Sequence, residues 1–280
     1  MSRGILFVVA TPIGNLGDIT IRALDTLRAC HRIVAEDTRR TRQLLSHFAI
    51  GGKEVQRLDS HASPRDVARI VDGLASGEQV GLVTDAGTPA VSDPGGALVE
   101  AAIAAGVRVV PLPGASALLA ALVASGLAAD GRFRFFGFLP RGGSAHRNAL
   151  ALVASTAEAT VLFEAPNRLR ATLQDLADAT PERRACVARE LTKVHEELVR
   201  GTCAELAADE REWLGEIAVV LGSHAPQERA MRIDDTALDA RIDEALSRGE
   251  HARSVAETLA AWSGRGRREV YMRVIGRKKR

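Results

Sequence analysis

The chain has 280 residues, 46% hydrophobic and 26% charged, the composition of an ordinary globular protein of about two domains. The net charge of +2 hides an asymmetry, because residues 264–280 carry +7 and the first 263 carry −5; this points to a polyanion touched by the basic end, or to a solvated terminus. The longest apolar stretch (115–129) is broken by Ser116, Ser125 and Gly126, 5–10 is too short for a signal-peptide core, and three scattered cysteines lack C-x-x-C spacing, so we expect a cytoplasmic protein with reduced thiols and no membrane span.

The apolar run 5–10 followed by Thr-Pro and Gly predicts a buried strand ending in a loop. Ile21, Leu24, Leu27 and Cys30 recur at helical spacing over 20–30, with Thr20 or Asp18 as N-cap. A strand at 32–35, a helix at 40–48 and a strand at 55–58 come next, and Ser63-Pro64-Arg65-Asp66 is a helix start. A strand at 79–84, a helix at 95–105 and a strand at 107–111 complete a β/α alternation that predicts a parallel sheet. Leu112-Pro113-Gly114 reads as a linker. Beyond it we expect a mixed second set: helices at 116–124, 145–155 and 167–178, strands at 133–138, 159–163, 184–189 and 216–221, and a hairpin or loop at 193–202. Helices at 235–248, 254–262 (capping box Ser254 and Glu257) and 267–275 resemble a helix-turn-helix module. The expected organisation is an α/β lobe over 1–112, a second α/β lobe over 113–225, and a small basic helical extension over 233–280.

No G-x-G-x-x-G follows the first strand, no Walker A lysine or G-x-S-x-G elbow is present, and the seven histidines lack ligand spacing, so no metal is expected. Instead, polar Gly/Pro-rich loops directly follow apolar strands: Thr11 to Asp18, Glu36 to Arg39, Asp85 to Pro89 with Ser92 to Gly95, and Pro113 to Ser116. In a parallel sheet these loops share the carboxyl edge, where open α/β folds bind ligands.

Ala-Thr-Pro-Ile-Gly-Asn-Leu-Gly-Asp, Ala-Glu-Asp-Thr-Arg-Arg-Thr, Thr-Asp-Ala-Gly-Thr-Pro-Ala-Val-Ser-Asp-Pro-Gly, Pro-Gly-Ala-Ser-Ala and Gly-Phe-Leu-Pro-Arg resemble the ribosomal small-subunit RNA methyltransferase I family, within the tetrapyrrole-methylase superfamily. The resemblance covers about 4–222. It implies two α/β lobes with S-adenosylmethionine in the cleft between them, a homodimer, and 2′-O-methylation of a cytidine ribose in 16S ribosomal RNA, within the 30S subunit. In the second lobe, Phe163 and Asn167 depart mildly from the family pattern.

The resemblance places donor contacts at Thr11, Pro12, Ile13, Gly14, Asn15 and Leu16; at Thr88, Pro89, Val91, Ser92 and Asp93; and at Ser116, Ala117, Phe163, Glu164, Ala188 and Ala218. The polar candidates on the acceptor side are Asp37 as first choice of base, then Glu36 or Asp18, with Lys193. Glu36 and Asp37 equally suit a helix cap or ion pairs with Arg39 and Arg40. Arg39, Arg40, Arg42, Arg141, Arg147, Arg265, Arg267 and Arg268 are the RNA-binding candidates. A small-molecule tetrapyrrole methyltransferase and a non-catalytic RNA-binding assembly factor are the alternatives, the first disfavoured by the basic tail.

Overall fold

The computed structural model describes residues 4–59, 61–224, 235–263 and 267–278. Residues up to His224 form one compact unit and the remainder a second.

The first unit holds two sheets. Five strands, β1 (Ile5–Val9), β2 (Arg32–Ala35), β3 (Glu54–Arg57), β4 (Gln79–Val83) and β5 (Arg108–Leu112), form a parallel sheet in the order β3-β2-β4-β1-β5. The helices between them are α1 (Ile21–Ala29), α2 (Thr38–His47), α3 (Pro64–Ala75) and α4 (Gly96–Ala104). Apolar clusters cover both faces, Leu6, Ile70, Leu74 and Leu98 on one and Val9, Leu27, Ile33 and Leu45 on the other, which is why the inner strands read as unbroken apolar runs. The caps follow the sequence signals: Thr20 accepts from Ala23 N, and Ser63 and Asp66 complete a capping box. One helical position departs from expectation. Leu27 and Cys30 are buried, but Ile21, in the first turn of α1, is 80% exposed.

Strand order fixes where a ligand can sit. β1 and β4 are neighbours, yet β1 connects leftward to β2 and β4 rightward to β5. Their following loops therefore diverge and open a crevice at the carboxyl edge.

The second sheet is mixed, as expected, with order β6-β7-β10-β8-β9: β6 (Phe133–Phe138), β7 (Ala159–Glu164), β8 (Arg184–Arg189), β9 (Glu197–Thr202) and β10 (Ile217–Leu221). Only β6 and β7 run parallel; β10 is antiparallel to both β7 and β8, which places the ends of β7 and β8 beside the start of β10 on one edge. Helices α5 (Ala117–Ser125), α6 (Gly143–Ser155) and α7 (Pro166–Ala179) complete the lobe. The 193–202 segment resolves into the turn and outer strand of a β8–β9 hairpin. It runs into a short helix, α8 (Cys203–Ala208), that the sequence reading did not anticipate; a Thr202/Glu205 capping box marks its start. The three cysteines are free and buried.

An exposed turn carries one titratable device. After β6, Pro140 O is held by His146 Nδ1 at 2.8 Å, while His146 Nε2 meets Asp175 on α7 at 2.9 Å. The bond to Asp175, then that to Pro140, raises the imidazole pKa above its ordinary value. A raised folded-state pKa contributes stability fully below the unfolded value of about 6.5 and loses it as pH climbs through the folded value. His146→Gln is therefore expected to destabilise the protein more at about pH 6 than at about pH 9 in paired thermal melts. An equal loss at both would rule the imidazolium out.

The second unit contains α9 (Asp235–Ser247), α10 (Ala252–Ser263) and α11 (Arg267–Lys278) around a core of Leu238, Ile242, Val255 and Val270. Ser254 lies inside α10, two residues past its start, so the expected Ser254/Glu257 cap is not the helix N-terminus. The basic face of α11 is largely engaged within the unit. Arg273 pairs with Asp235 and Asp239, Arg277 with Asp239 and Asp243, and Arg267 with Glu257. Arg268 is exposed, and Arg265 lies outside the described residues. Among the described residues no helix is long and apolar enough to cross a membrane.

Candidate active site

The strand-end loops of the first lobe are stitched into one rim. Thr11 and Gly87 exchange backbone hydrogen bonds of 2.9 and 3.0 Å, and Thr11 Oγ1 donates to Thr84 O at 3.1 Å. Asp85 Oδ1 accepts from Asp37 N at 2.9 Å, and Thr88 Oγ1 donates to Ala115 O at 3.2 Å. Asp93 Oδ1 accepts from Ala90 N (3.0 Å) and Gly95 N (2.7 Å), folding a tight turn in which Ala90 and Ser92 both adopt left-handed φ values of 67° and 60°. Non-glycine residues in that region cost energy and concentrate at ligand sites.

The second lobe brings its own edge against this rim. Ile13 packs in a cluster with Ala188 and Leu191, and Asn15 N donates to Thr192 Oγ1 at 3.0 Å. Glu190 and Thr192 are again left-handed, at 50° and 67°. Lys193 Nζ sits 2.8 Å from Glu190 Oε1 and 3.1 Å from Glu216 Oε2. Two glycines are obligatory here. A Cβ on Gly14 would stand 2.4 Å from Lys193 Cγ, and one on Gly137 (φ +62°) would stand 2.9 Å from Ser92 Oγ.

Two cavities open between these edges. The first, about 450 Å³, is lined by Thr84 to Thr88, Val91 to Asp93, Ser116 to Leu118, Phe163 to Pro166, Ala188, Gly215 to Ala218 and, at its sides, Ile13, Glu36, Arg40, Phe138 and Leu191. The second, about 530 Å³, is lined by Thr11 to Gly14, Leu16, Thr41, Gln43, Leu44, His47 and Lys193, and it shares Ile13, Arg40, Thr84, Asp85, Ala86 and Glu216 with the first. Both fall in the range of small-molecule sites.

Most of the expected site residues converge. Ile13, Thr88, Val91, Ser92, Asp93, Ser116, Ala117, Phe163, Glu164, Ala188 and Ala218 line the first cavity, as do Glu36 and Arg40; Thr11, Pro12, Gly14, Leu16 and Lys193 line the second. Others lie off both walls. The Asn15 side chain accepts from Gly17 N and caps a short 3-10 turn, Pro89 is buried behind its loop, and Asp18 is exposed. Arg42 borders a separate shallow hollow with Gly51 and Lys53, and Arg141 and Arg147 are exposed about the start of α6. Glu164 reaches the cavity with a carboxylate already spoken for, by Ala165 N at 2.8 Å, Thr172 Oγ1 at 2.7 Å and Arg168 at 3.3 Å.

The two adjacent acids differ sharply. Asp37 caps α2, accepting from Arg39 N at 2.8 Å, and Arg39 also folds back onto its carboxylate. Side-chain and then backbone hydrogen bonds from Arg39 lower its pKa to about 2, and it lines neither cavity. A carboxylate so well satisfied is a poor proton acceptor. Glu36, on the cavity wall, has its pKa raised by burial, then by the neighbouring charges of Asp85 and Asp93. Asp37 thus takes the helix-cap role that the sequence also offered, and Glu36 is the acid that meets a cavity. The sequence reading missed Asp85, Phe138 and Glu216 as wall residues, as well as the α2 face at Gln43, Leu44 and His47. The last was findable, since 40, 43, 44 and 47 are spaced as one side of a helix.

Residues 6–207 match the family of tetrapyrrole (corrin/porphyrin) methylases. Solved structures of the same fold include diphthine synthase (19% identity, TM-score 0.60, covering 79% of this chain and 92% of that one). Another is uroporphyrin-III C-methyltransferase from Thermus thermophilus in complex with S-adenosylhomocysteine (20% identity, TM-score 0.57, 78% and 97% covered). The fold and cleft are therefore those of an S-adenosylmethionine-dependent methyltransferase. Proteins named ribosomal RNA small subunit methyltransferase I are similar over almost the whole length: that of Xylella fastidiosa is 44% identical (92% of this chain, 96% of the relative). That of Synechocystis is 42% identical (91% and 92%). The chain belongs to the ribosomal RNA small subunit methyltransferase I family.

The first cavity suits the methyl donor. Small residues (Gly87, Ala117, Ala188, Ala218) let backbone approach a ligand, Phe138 and Phe163 offer apolar ring surface, and Val91 and Ser92 of the left-handed turn line the wall.

Proposed function

We propose that this protein transfers the methyl group of S-adenosylmethionine to the 2′-oxygen of a cytidine ribose in small-subunit ribosomal RNA, acting in the cytoplasm on the 30S subunit. The observation that carries the reading is the pair of adjoining cavities, one fitted to a donor and the other open beside it, with Glu36 next to their shared wall of Arg40, Thr84 and Asp85. Similarity to relatives of that name over more than nine-tenths of the chain supports the substrate.

When bound, S-adenosylmethionine supplies an electrophilic sulfonium methyl. The chain's residues position the reactants and manage one proton. Juxtaposition alone can remove about 7–11 kcal/mol of barrier. Glu36, with its raised proton affinity, accepts the proton of the ribose hydroxyl as its oxygen attacks. Arg40 faces both cavities and holds a flanking phosphate. Arg39, Arg42, Arg141, Arg147 and the basic C-terminal helix widen the RNA footprint. The chain acts as a homodimer, a reading supported by Leu119 and Val123, one turn apart on α5 and 50% and 75% exposed.

The test is transfer of labelled methyl to 30S subunits from cells lacking the protein, with the product located by mass spectrometry. One added ribose methyl on a cytidine is expected. A methyl on a base, or transfer to a tetrapyrrole but not to subunits, overturns the reading.

A further inference from the structure

We infer that the second cavity is the pocket for the acceptor nucleoside and that α2 reads its base through Gln43, with Leu44 and His47 forming the surface on which the base rests. The inference rests on the methyl-transfer reading above and adds to it the residues that select the substrate.

Helix α2 has two working sides. Thr41 and Leu45 are buried in the lobe. Arg40, Gln43, Leu44 and His47, at i, i+3, i+4 and i+7, turn toward the second cavity. This is an unusual use of a helix flank, since Leu44 is half-buried between two exposed polar side chains. The amide of Gln43 has no hydrogen-bond partner among the described residues. Among the described residues, His47 makes only an edge contact with the ring of Phe48, at 4.8 Å between centroids.

An enzyme acting on a single nucleotide within RNA needs that nucleotide unstacked and lodged in a pocket, where its edge is read by hydrogen bonds and its face by flat or apolar side chains. The second cavity offers this set. Its volume of about 530 Å³ accommodates a nucleoside, and it adjoins the donor cavity along Ile13, Arg40, Asp85 and Glu216. Arg40 already faces Asp85 at 3.8 Å, while the Gln43 amide both donates and accepts. Cytosine presents two ring-edge acceptors (O2 and N3) and one amino donor (N4). Uracil instead carries an N–H at position 3 and a carbonyl at position 4, so it meets that amide only with the amide turned over. With Arg40 paired to Asp85 and Lys193 paired to Glu190 and Glu216, the unpartnered Gln43 amide is the group left to meet the cytosine edge, its NH2 donating to N3 and its carbonyl accepting from N4.

The experiment uses the full chain and 30S subunits from cells lacking the protein, carrying either cytidine or uridine at the methylated position. Gln43→Ala is expected to lower kcat/KM on cytidine subunits by about tenfold or more, to narrow the gap between cytidine and uridine subunits, and to leave the S-adenosylmethionine Kd within about twofold. His47→Ala is expected to raise KM for both substrates alike. Unchanged kcat/KM for both variants overturns the inference while leaving the methyl-transfer reading intact, as does a Gln43→Ala loss equal on the two substrates. Failure of the wild-type chain to methylate RNA overturns both.

Discussion

Glu36→Gln is expected to reduce kcat for methyl transfer by about 10²–10⁴-fold, the usual contribution of a positioned base, while leaving S-adenosylmethionine affinity within about twofold. The side chain keeps its size and loses the ability to take a proton. The pH profile gives the sign. Glu36 has to be ionised to act, so the wild-type rate falls as pH drops through a pKa raised from the ordinary glutamate value by burial and then by Asp85 and Asp93, and this limb disappears in the variant. Stability should move the other way. A carboxyl whose folded pKa is raised is more favourable protonated, so its ionised form at neutral pH opposes folding. Thermal denaturation at pH 7 is thus expected to show no loss, or a small gain, for Glu36→Gln. A variant with near wild-type kcat removes Glu36 from the chemistry.

Arg183→Ala is expected to cost about 3–5 kcal/mol of stability, read by denaturant unfolding, with S-adenosylmethionine affinity unchanged in the folded fraction. Arg183 is only 3% exposed and has no carboxylate partner among the described residues. Its guanidinium donates instead to Gly222 O (2.8 Å), Val153 O (2.9 Å), Glu158 O (2.9 Å) and Thr160 Oγ1 (3.4 Å). Burial lowers its pKa to about 10, which leaves it charged at neutral pH. One planar group thereby ties the end of α6 and the start of β7 to the end of β10, on the edge of the second sheet opposite the cavities. Truncation leaves three carbonyls without that donor and opens a void. Arg183→Lys should recover only part of the loss, because an ammonium cannot span a fork of acceptors this wide. A cost below about 1 kcal/mol would show that water replaces the fork.

The parallel lobe was legible because its signals are local and agree with one another. Apolar runs marked β1, β2 and β4, and Thr20 and Ser63-Pro64 with Asp66 marked helix starts. The cleft was legible for a topological reason, since every loop after a parallel strand shares one edge. What escaped was non-local. Nothing near Glu216 shows that β10 begins beside Glu164 and Arg189, and only the antiparallel register places it there. α8 was missed because a six-residue helix has barely two turns in which to show a period. The choice between Glu36 and Asp37 was invisible in sequence because both are acids at a strand end. Which of them faces a cavity follows from which one the next helix takes as its cap.

The inward pairing of α11 alters how the C-terminal unit would answer ionic strength. A phosphate that reaches Arg273 or Arg277 has to displace an aspartate already seated there, exchanging one anion for another. Such an exchange frees few condensed cations from the nucleic acid, so contacts through this helix would add little slope to a plot of affinity against salt, however many arginines the helix carries.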